Sequence, residues 1–383
     1  MNITPASAFA DSKPHYALLD GLRGVAALVV IWYHVFEGFC TSAMDWTINH
    51  GHLGVDFFFL LSGFVISYAY DDRWGKMTLA SFAKRRLIRL QPMVFIALLF
   101  GAVMWLVQGG EHWDGTKVEW WWLLVAMVMT FCFIPAPIGS PVDIRGNGEL
   151  FSVNGPQWSL FFEYIANILY ALVLRRLSNR WLAVVTIVSG AGFAYIVLGD
   201  VTGAGAYNTA VGWTLANNHF WCALVRIIFL FSLGMLLARN FRSVKAKGAF
   251  WICSILLIVA LAVPYIGAPS DATTGSVWNG IYELACVTIL FPAIIYLASS
   301  GKATDGFTQR LCTFLGDISY PLYIFHYPVM YIFYWWVWRN GYAFADVWYM
   351  GFVLFFGNIA LAYAVLKLYD EPMRRWLNRR LKK

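Results

Sequence analysis

Eleven apolar segments divide most of the chain into stretches long enough to cross a lipid bilayer as helices. Only 13% of the residues are charged, whereas about a quarter are charged in soluble domains. The charged residues lie between apolar runs of roughly 17–25 residues, which is the length of a membrane-spanning helix. We therefore predict an all-α integral membrane protein whose apolar segments cover residues 18–39, 52–70, 93–108, 119–138, 156–174, 181–199, 219–238, 249–267, 279–299, 318–338 and 345–369.

Basic residues set the orientation of these segments, because Lys and Arg near membrane helices are retained on the cytoplasmic side. Suppose that every cluster of basic residues is cytoplasmic. Three apolar segments then lie between the first two clusters, but a chain that leaves and returns to the same side must cross the membrane an even number of times. One of the three is therefore re-entrant or interfacial, and the second is favoured because it begins with three Trp residues typical of the headgroup layer. We predict about ten transmembrane helices plus this segment, with both termini cytoplasmic. The three candidates are 93–108, 119–138 and 156–174.

The same pattern predicts a simple domain organisation. A cytoplasmic N-terminal segment covers 1–16, one transmembrane bundle covers 17–370, and a basic cytoplasmic tail covers 371–383. No cleavable signal peptide is expected, because the first apolar run is too long for one. The net charge of +7 comes from the basic blocks between helices, so we expect a lipid bilayer and no nucleic acid as partner. None of the six cysteines forms a CxxC pair, and no metal site is predicted.

Ionisable side chains inside the apolar segments are the candidate functional residues, because charge at membrane depth is costly and marks function by default. Arg23 and His34 lie eleven residues apart in the first segment. In a helix this spacing places both on one face, separated by roughly 16 Å along the axis. Arg23 is expected at the cytoplasmic end and His34 toward the external side. His34 and the mid-depth His326 are candidates for catalysis, although a membrane histidine can also serve only to hydrogen-bond neighbouring helices.

Two carboxylates lie at depths where they could assist a histidine. Asp56 is expected at the same depth as His34, and a carboxylate beside a histidine orients the ring and raises its basicity. The alternative for Asp56 is an ordinary charge at an external helix start. Glu163 could be a general base, an orienting partner or a structural hydrogen-bonding group. Arg226 and Glu283 are expected to form or share ion pairs.

Arginines form a cluster at the cytoplasmic end of the third segment. The run SFAKRRLIRLQP contains Arg85, Arg86 and Arg89 on an amphipathic stretch. Guanidinium groups bind phosphates through paired hydrogen bonds, so the cluster is a candidate phosphate site. The alternative is a positive-inside cluster that holds lipid headgroups.

Five blocks of sequence in order closely resemble the acyltransferase-3 family, over about residues 16–370. The blocks are LDGLRGVAALVVIWYH, GVDFFFLLSGFVIS, FAKRRLIRLQP, PQWSLFFEY and SYPLYIFHYPV. The family's Arg-x10-His, Arg-x-x-Arg and Trp-Ser-Leu-x-x-Glu motifs match, in that order, Arg23 and His34, Arg86 and Arg89, and Trp158, Ser159, Leu160 and Glu163.

The resemblance implies a multi-pass enzyme of the bacterial inner membrane. Members include O-antigen, exopolysaccharide and nodulation-factor acetylases, which move an acyl group from a cytoplasmic donor to a hydroxyl at the external face. The implied donor substrate is acetyl-CoA or another acyl-CoA, with no permanently bound cofactor. The implied acceptor is a carbohydrate or glycoconjugate. The chain resembles the stand-alone form, without the hydrolase-like domain that some members carry.

The residues and the resemblance together predict one catalytic arrangement. Cationic side chains at the cytoplasmic end bind the phosphates of coenzyme A, and His34 acts as general base or transient acyl acceptor. Asp56 or Glu163 orients His34, and Trp158, Ser159 and His326 are further candidate site residues. A proton-coupled transporter and a structural partner in an envelope-assembly complex are the alternatives. The predicted donor-binding residues are Arg23, Arg85, Arg86 and Arg89.

Overall fold

The computed structural model describes residues 15–380, and within that range the chain forms helices and no β-strand, as the predicted all-α fold requires. The first fourteen residues of the predicted segment 1–16, and residues 381–383 of the predicted tail, lie outside the described residues. The α-helices between residues 15 and 380 are α1 Ala17–Glu37, α2 Leu53–Tyr70, α3 Leu79–Val107, α4 Trp120–Phe131, α5 Gln157–Leu172, α6 Asn179–Leu198, α7 His219–Arg239, α8 Ala249–Ala262, α9 Val277–Ala285, α10 Phe291–Ser300, α11 Gly306–Asn340, α12 Phe344–Val365 and α13 Glu371–Arg380.

Every predicted apolar segment contains a helix, but the helices differ in length. Within residues 15–380, eight helical stretches are long and apolar enough to cross a membrane. Two further apolar helices are shorter, with 12 residues in α4 and 14 in α8. At 1.5 Å per residue, α4 is about 18 Å long and falls well short of a hydrocarbon core of about 30 Å. Its length favours 119–138 as the segment that does not cross, while the number of crossings remains a prediction.

The third helix begins earlier than the apolar pattern predicts. The crossing was expected over 93–108, after the arginine cluster, whereas α3 runs without interruption from Leu79 to Val107. Thr78 caps its first turn by accepting a hydrogen bond from the backbone N–H of Ser81, at 3.1 Å. Arg85, Arg86 and Arg89 therefore belong to the same rigid helix that enters the bundle.

The bundle is held together by helix pairs that approach closely. α1 packs most extensively against α11, and α2 against α7. In the second pair, Gly63 of α2 faces the backbone carbonyl of Phe231, and Gly234 of α7 faces that of Leu60. A Cβ atom at either position would clash with the facing backbone. Small residues permit close packing of membrane helices, so these two glycines allow α2 and α7 to approach closely.

The outside of the bundle is apolar over much of its surface. Large hydrophobic side chains on α6 are exposed, including Ile187 at 70%, Val188 at 66% and Tyr195 at 72%. Soluble monomers rarely expose continuous apolar surfaces of this kind. An apolar exterior is what a lipid-facing helix needs, so the outer surface agrees with a multi-pass membrane protein.

Predicted basic blocks from different parts of the chain meet at one end of the bundle, here called the basic end. Arg239, at the end of α7, lies 2.7 Å from Asp71 at the end of α2 and donates to the carbonyl of Leu177 beyond α5. The guanidinium of Arg175 lies 3.9 Å from the ring centroid of Trp74. These contacts join the blocks that the positive-inside rule assigns to one side of the membrane.

Connections that lack Lys and Arg meet at the opposite end. The Tyr265 hydroxyl donates to the carbonyl of Ala206 at 2.6 Å, which joins the connection after α8 to the one after α6. His50 hydrogen-bonds the carbonyl of Val263 at 2.7 Å, which adds the connection between α1 and α2. The basic blocks and these three connections without Lys or Arg thus lie at opposite ends of the bundle.

Candidate active site

His34 lies in the last turn of α1 and is held by a carboxylate of the same helix. Its Nδ1 atom is 2.5 Å from Oε2 of Glu37, three residues further along. The Tyr334 hydroxyl donates to that carboxylate oxygen at 2.7 Å and also lies 2.7 Å from the carbonyl of His34. A carboxylate at Nδ1 places the ring proton there and fixes the orientation of the imidazole. The lone pair of neutral His34 is then on Nε2, the form that a general base requires.

The expected contact between Asp56 and His34 is not formed, which corrects the prediction that Asp56 orients the histidine. Asp56 is fully buried and faces α7, where Arg226 binds both of its oxygens at 2.6 and 2.7 Å. Thr209 donates to the same carboxylate at 3.1 Å. Asp56 faces α7 because α2 packs most closely on that helix, so its charge is neutralised away from α1. The expected ion pair of Arg226 is present, with Asp56 as its partner, and Glu283 is hydrogen-bonded to His52 at 3.0 Å.

Glu163 also has a different partner from the predicted one, which was His34. Its Oε1 atom lies 2.6 Å from Nη2 of Arg86, and the Ser62 hydroxyl donates to the same oxygen at 3.2 Å. Glu163 therefore joins α5 to α2 and α3 beside the arginine cluster. The orienting carboxylate of His34 is Glu37, while catalytic roles for Glu163 and Asp56 stay predictions.

His326 of α11 lies next to His34, with the two ring centroids 5.2 Å apart. The His326 side chain is 1% exposed, and its Nδ1 atom donates to the carbonyl of Tyr323 at 2.7 Å. Among the described residues, no group hydrogen-bonds its Nε2 atom. A buried nitrogen without a partner is costly, so this atom is poised to accept a hydrogen bond from a bound molecule.

The two histidines line a cavity of about 410 Å³, here called the histidine cavity. Many of the other described residues that line it are Tyr or Trp, and Glu37 contributes a carboxylate. Four of the tyrosines come from successive turns of α11, which faces the cavity along much of its length: Tyr323, Tyr327, Tyr331 and Tyr334. Aromatic rings combined with a few converging polar groups are typical of a small-molecule site.

A second cavity, of about 450 Å³, lies toward the basic end and is here called the arginine cavity. Four guanidinium groups line it, together with His15, Ser159 and Glu163. Arg23 is anchored to α11 by donating to the hydroxyl of Ser319 at 2.8 Å and pairs with Asp20 at 3.0 Å. The four arginines that line the arginine cavity come from α1, α3 and α13: Arg23, Arg86, Arg89 and Arg374.

The two cavities share part of their walls. Val55 and Tyr323 line both of them, so the cavities meet at these two side chains, here called the junction. The Tyr323 hydroxyl is 2.8 Å from Oγ of Ser159, which lines the arginine cavity. Trp158, the preceding residue, lines the histidine cavity. The first turn of α5 therefore passes beside the junction. Trp158 belongs to the wall of the histidine cavity, and the next residue, Ser159, belongs to the wall of the arginine cavity.

Comparison with known proteins shows the family to which the chain belongs. The family model described as an acyltransferase domain matches residues 16–367, which is most of the chain. The chain belongs to the acyltransferase-3 family. The matched region contains every residue of the motifs described above and all residues named at the junction.

Several curated proteins resemble this acyltransferase. Acyltransferase MdmB of Streptomyces mycarofaciens is 26% identical over 82% of this chain and 78% of its own length. Protein 2 in picA locus, from Rhizobium radiobacter, is 34% identical over 41% of this chain and 81% of its own length. A Staphylococcus aureus (strain COL) protein titled "Putative O-acetyltransferase" is 25% identical over 82% of this chain and 50% of its own length. No solved structure matches the chain. Together, the family and these relatives identify a multi-pass O-acyltransferase.

Some residues of the acyltransferase site were missed from the sequence, and one predicted residue lies elsewhere. Glu37 has the i, i+3 spacing from His34 that brings side chains together on a helix, so its position was a usable signal. Tyr323 and Arg374 gave no such signal, because their neighbours are distant in sequence. Arg85, predicted to bind the donor, is not among the described residues that line the arginine cavity.

A further carboxylate of the acyltransferase, Glu149, lines the histidine cavity from the connection between α4 and α5. Burial raises the pKa of Glu149 to about 7, and the hydrogen bond that the Tyr331 hydroxyl donates to it acts in the opposite direction. The guanidinium of Arg145 lies 3.5 Å from the ring centroid of Tyr331. Its positive charge also favours the ionised form of Glu149. Glu149 is thus a candidate proton-exchanging carboxyl group of the histidine cavity.

Proposed function

We propose that this acyltransferase moves an acetyl group from cytoplasmic acetyl-CoA to a hydroxyl of a glycan or glycoconjugate at the external face of a bacterial inner membrane. The observation that carries the proposal is the meeting of two chemically different cavities at Val55 and Tyr323. One cavity lies toward the basic end and is lined by four arginines together with four carboxylates. The other is aromatic and contains the two histidines. A donor and an acceptor entering from opposite ends would bring their reacting atoms together at the junction.

The arginine cavity has the chemistry that a coenzyme A donor needs. Its guanidinium groups suit the phosphates, which Arg binds through paired hydrogen bonds. Arg86 is buried and engaged with Glu163, whereas Arg89 is exposed on the same helix and faces the cavity. We therefore assign direct phosphate binding to Arg89 first, and to Arg86 the additional task of fixing α3 against α5. The thioester arm would extend from these arginines toward the junction.

The histidine cavity has the chemistry that a sugar hydroxyl needs. Tyrosine and tryptophan rings can stack on the apolar face of a sugar, and their hydroxyl and N–H groups can hydrogen-bond its polar edge. The Nε2 atoms of His34 and His326 supply two acceptors for a hydroxyl proton. A molecule with a flat apolar face and hydroxyl groups could therefore contact the aromatic rings and the histidine nitrogens at the same time.

The proposed reaction uses His34 as the general base. Its Nε2 atom takes the proton of the acceptor hydroxyl while the hydroxyl oxygen attacks the thioester carbon, so a carbon–oxygen bond forms and the carbon–sulfur bond breaks. Coenzyme A leaves as a thiolate and takes the proton back from His34, which yields the free thiol. Glu37 stabilises the transient imidazolium through Nδ1. No charge or proton is left over at the end of the cycle.

Replacing arginines of α3 tests the donor side. Arg89→Ala is expected to raise the KM for acetyl-CoA roughly tenfold with a smaller fall in kcat, because it removes one charged hydrogen-bonding partner of a phosphate. Arg86→Ala should raise the same KM and also lower the melting temperature, because Glu163 loses its partner. Arg85→Ala, on the same helix but outside the cavity lining, is the matched control. An unchanged KM for acetyl-CoA in Arg89→Ala and Arg86→Ala would mean that these arginines only mark the cytoplasmic side of the membrane and do not bind the donor.

Narrowing the junction tests whether the two cavities exchange the acyl group. Val55→Phe is expected to lower kcat at least roughly tenfold, because the added ring would fill the space between the donor thioester and the acceptor, while acetyl-CoA still binds. Val55→Ala, which widens the same place, should keep activity. Melting temperatures would show whether overpacking has disturbed the fold. Equal kcat in the folded Phe variant and the wild type would argue against transfer across this point.

The direct test of the function measures acceptor-dependent release of coenzyme A thiol. Purified protein in detergent is incubated with radiolabelled acetyl-CoA and a panel of methyl glycosides and oligosaccharides of glucose, galactose, rhamnose and N-acetylglucosamine. Thiol release together with label on a sugar hydroxyl is the expected result. Label transfer to none of these glycosides, from protein shown to be folded, would contradict a carbohydrate acceptor.

A further inference from the structure

A third cavity lies at the end of the bundle opposite the basic end, outside the helical core. It has a volume of about 820 Å³, twice that of the histidine cavity. Its walls come from three connections, which join α3 to α4, α4 to α5 and α6 to α7. We call it the outer groove.

The outer groove continues into the histidine cavity. Asn147 and Trp213 line both of them. A molecule with one end beside His34 could therefore extend past these two side chains into the groove. The proposed acetyl transfer needs room for one reacting sugar only, and it leaves the groove without a use.

The chemistry of the lining is that of a site for a neutral hydroxylated ligand. Trp122 at the start of α4 and Trp213 provide two flat apolar faces. Amide and hydroxyl groups also line the groove, including Asn147, Asn217 and Thr116. These groups can both donate and accept hydrogen bonds, as sugar hydroxyls require of their partners. Because the lining also holds both acidic and basic side chains, it has no strong charge of one sign to attract a polyanion.

Hydrogen bonds between the connections hold the groove walls in place. The backbone N–H of Leu150 donates to the carbonyl of Trp213 at 2.9 Å, and that of Trp113 donates to the carbonyl of Arg145 at 3.0 Å. The Asp143 carboxylate accepts from the backbone of Gly148 at 2.7 Å. A groove built before binding loses less conformational freedom when it is occupied, so it can contribute to affinity.

We infer that the outer groove binds the non-reacting sugar units of an extended glycan whose terminal unit lies in the histidine cavity. This inference rests on the proposed function and narrows its acceptor from carbohydrates in general to oligosaccharides or longer chains. Units in the groove fix the register of the glycan and so determine which hydroxyl reaches His34. The acyltransferase therefore discriminates acceptors by length as well as by sugar type.

The experiment compares short and long acceptors of one sugar type. It uses a methyl glycoside and the corresponding tetrasaccharide, chosen from the panel members that the wild-type protein acetylates. We expect wild-type protein to have a higher kcat/KM for the tetrasaccharide. In Trp122→Ala, KM for the tetrasaccharide should rise roughly fivefold, the scale of one lost aromatic contact, with no change for the methyl glycoside.

Matched variants separate the groove from the fold. Trp120→Ala removes a Trp from the same helix start, but Trp120 is 69% exposed and is not among the described groove residues. Its kinetics should equal those of wild type. Asn217→Asp keeps the size of the side chain and tolerates the left-handed backbone there, at φ +46°, while it loses an amide donor. It should repeat the selective loss with the long acceptor.

The other possible results show whether the groove proposal alone or the proposed function itself is wrong. Equal kcat/KM for both lengths, unchanged in Trp122→Ala and Asn217→Asp, would overturn the groove while leaving the proposed acetyl transfer intact. Equal losses with both lengths would also overturn it, because the effect would then lie in the fold or in the histidine cavity. If wild-type protein acetylates no glycoside, the proposed function fails first, and the groove proposal fails with it.

Discussion

Replacing His34 with alanine is expected to abolish acyl transfer while the protein still inserts and folds. General-base catalysis contributes about 100- to 10,000-fold to rate, so kcat should fall by that amount or below detection. His34 is partly exposed to the histidine cavity, with 18% of its side chain accessible, so its removal leaves no large void in the core. The measurement is release of coenzyme A thiol and transfer of labelled acetyl from acetyl-CoA to an acceptor.

Two further observations give the His34→Ala result its meaning. Acetyl-CoA binding should be unchanged, because the arginine cavity lies on the other side of the junction. Glu37→Gln should lower kcat less than His34→Ala, since the amide can still orient the ring but stabilises the imidazolium poorly. A fully active His34→Ala protein would remove His34 from the mechanism. Label stably retained on wild-type protein, and absent from the variant, would favour an acyl-histidine intermediate over general-base catalysis.

Replacing Asp56 with alanine is expected to have the largest effect on stability. Removing one member of a buried ion pair leaves an uncompensated charge and costs about 3–5 kcal/mol. Asp56 and Arg226 are buried within the bundle, and the pair joins α2 to α7 through two hydrogen bonds. Asp56→Ala should therefore melt at a markedly lower temperature in detergent, as measured by intrinsic fluorescence.

Variants of the partner test whether this loss comes from the ion pair. Arg226→Met should destabilise the protein for the same reason, and the double variant should be more stable than Asp56→Ala alone because no unpaired charge remains. Glu111→Gln, at the exposed ion pair with Lys117, is the control and should change melting little. A stable but inactive Asp56→Ala protein would contradict the structural role and restore Asp56 as a catalytic candidate.

The outcome for Asp56 shows where reasoning from sequence stops. Asp56 was expected at the depth of His34, but depth does not say which neighbour a side chain faces. Arg226 lies 170 residues away in the chain, and only the packing of α2 on α7 brings it to Asp56. Glu37, by contrast, is three residues from His34 on the same helix, so its contact follows from sequence spacing.

The sequence by itself determined the helical membrane fold, the family, and the positions of Arg23 and His34 on one helix. These follow from local properties, since segment length, helical period and motif spacing are all read along the chain. Only the tertiary structure decided that Asp56 faces Arg226, where the two cavities meet, and that a groove extends the histidine cavity. Each of these depends on side chains from distant helices or connections, such as Val55 of α2 and Tyr323 of α11, whose places in the walls of both cavities are set by how the helices pack.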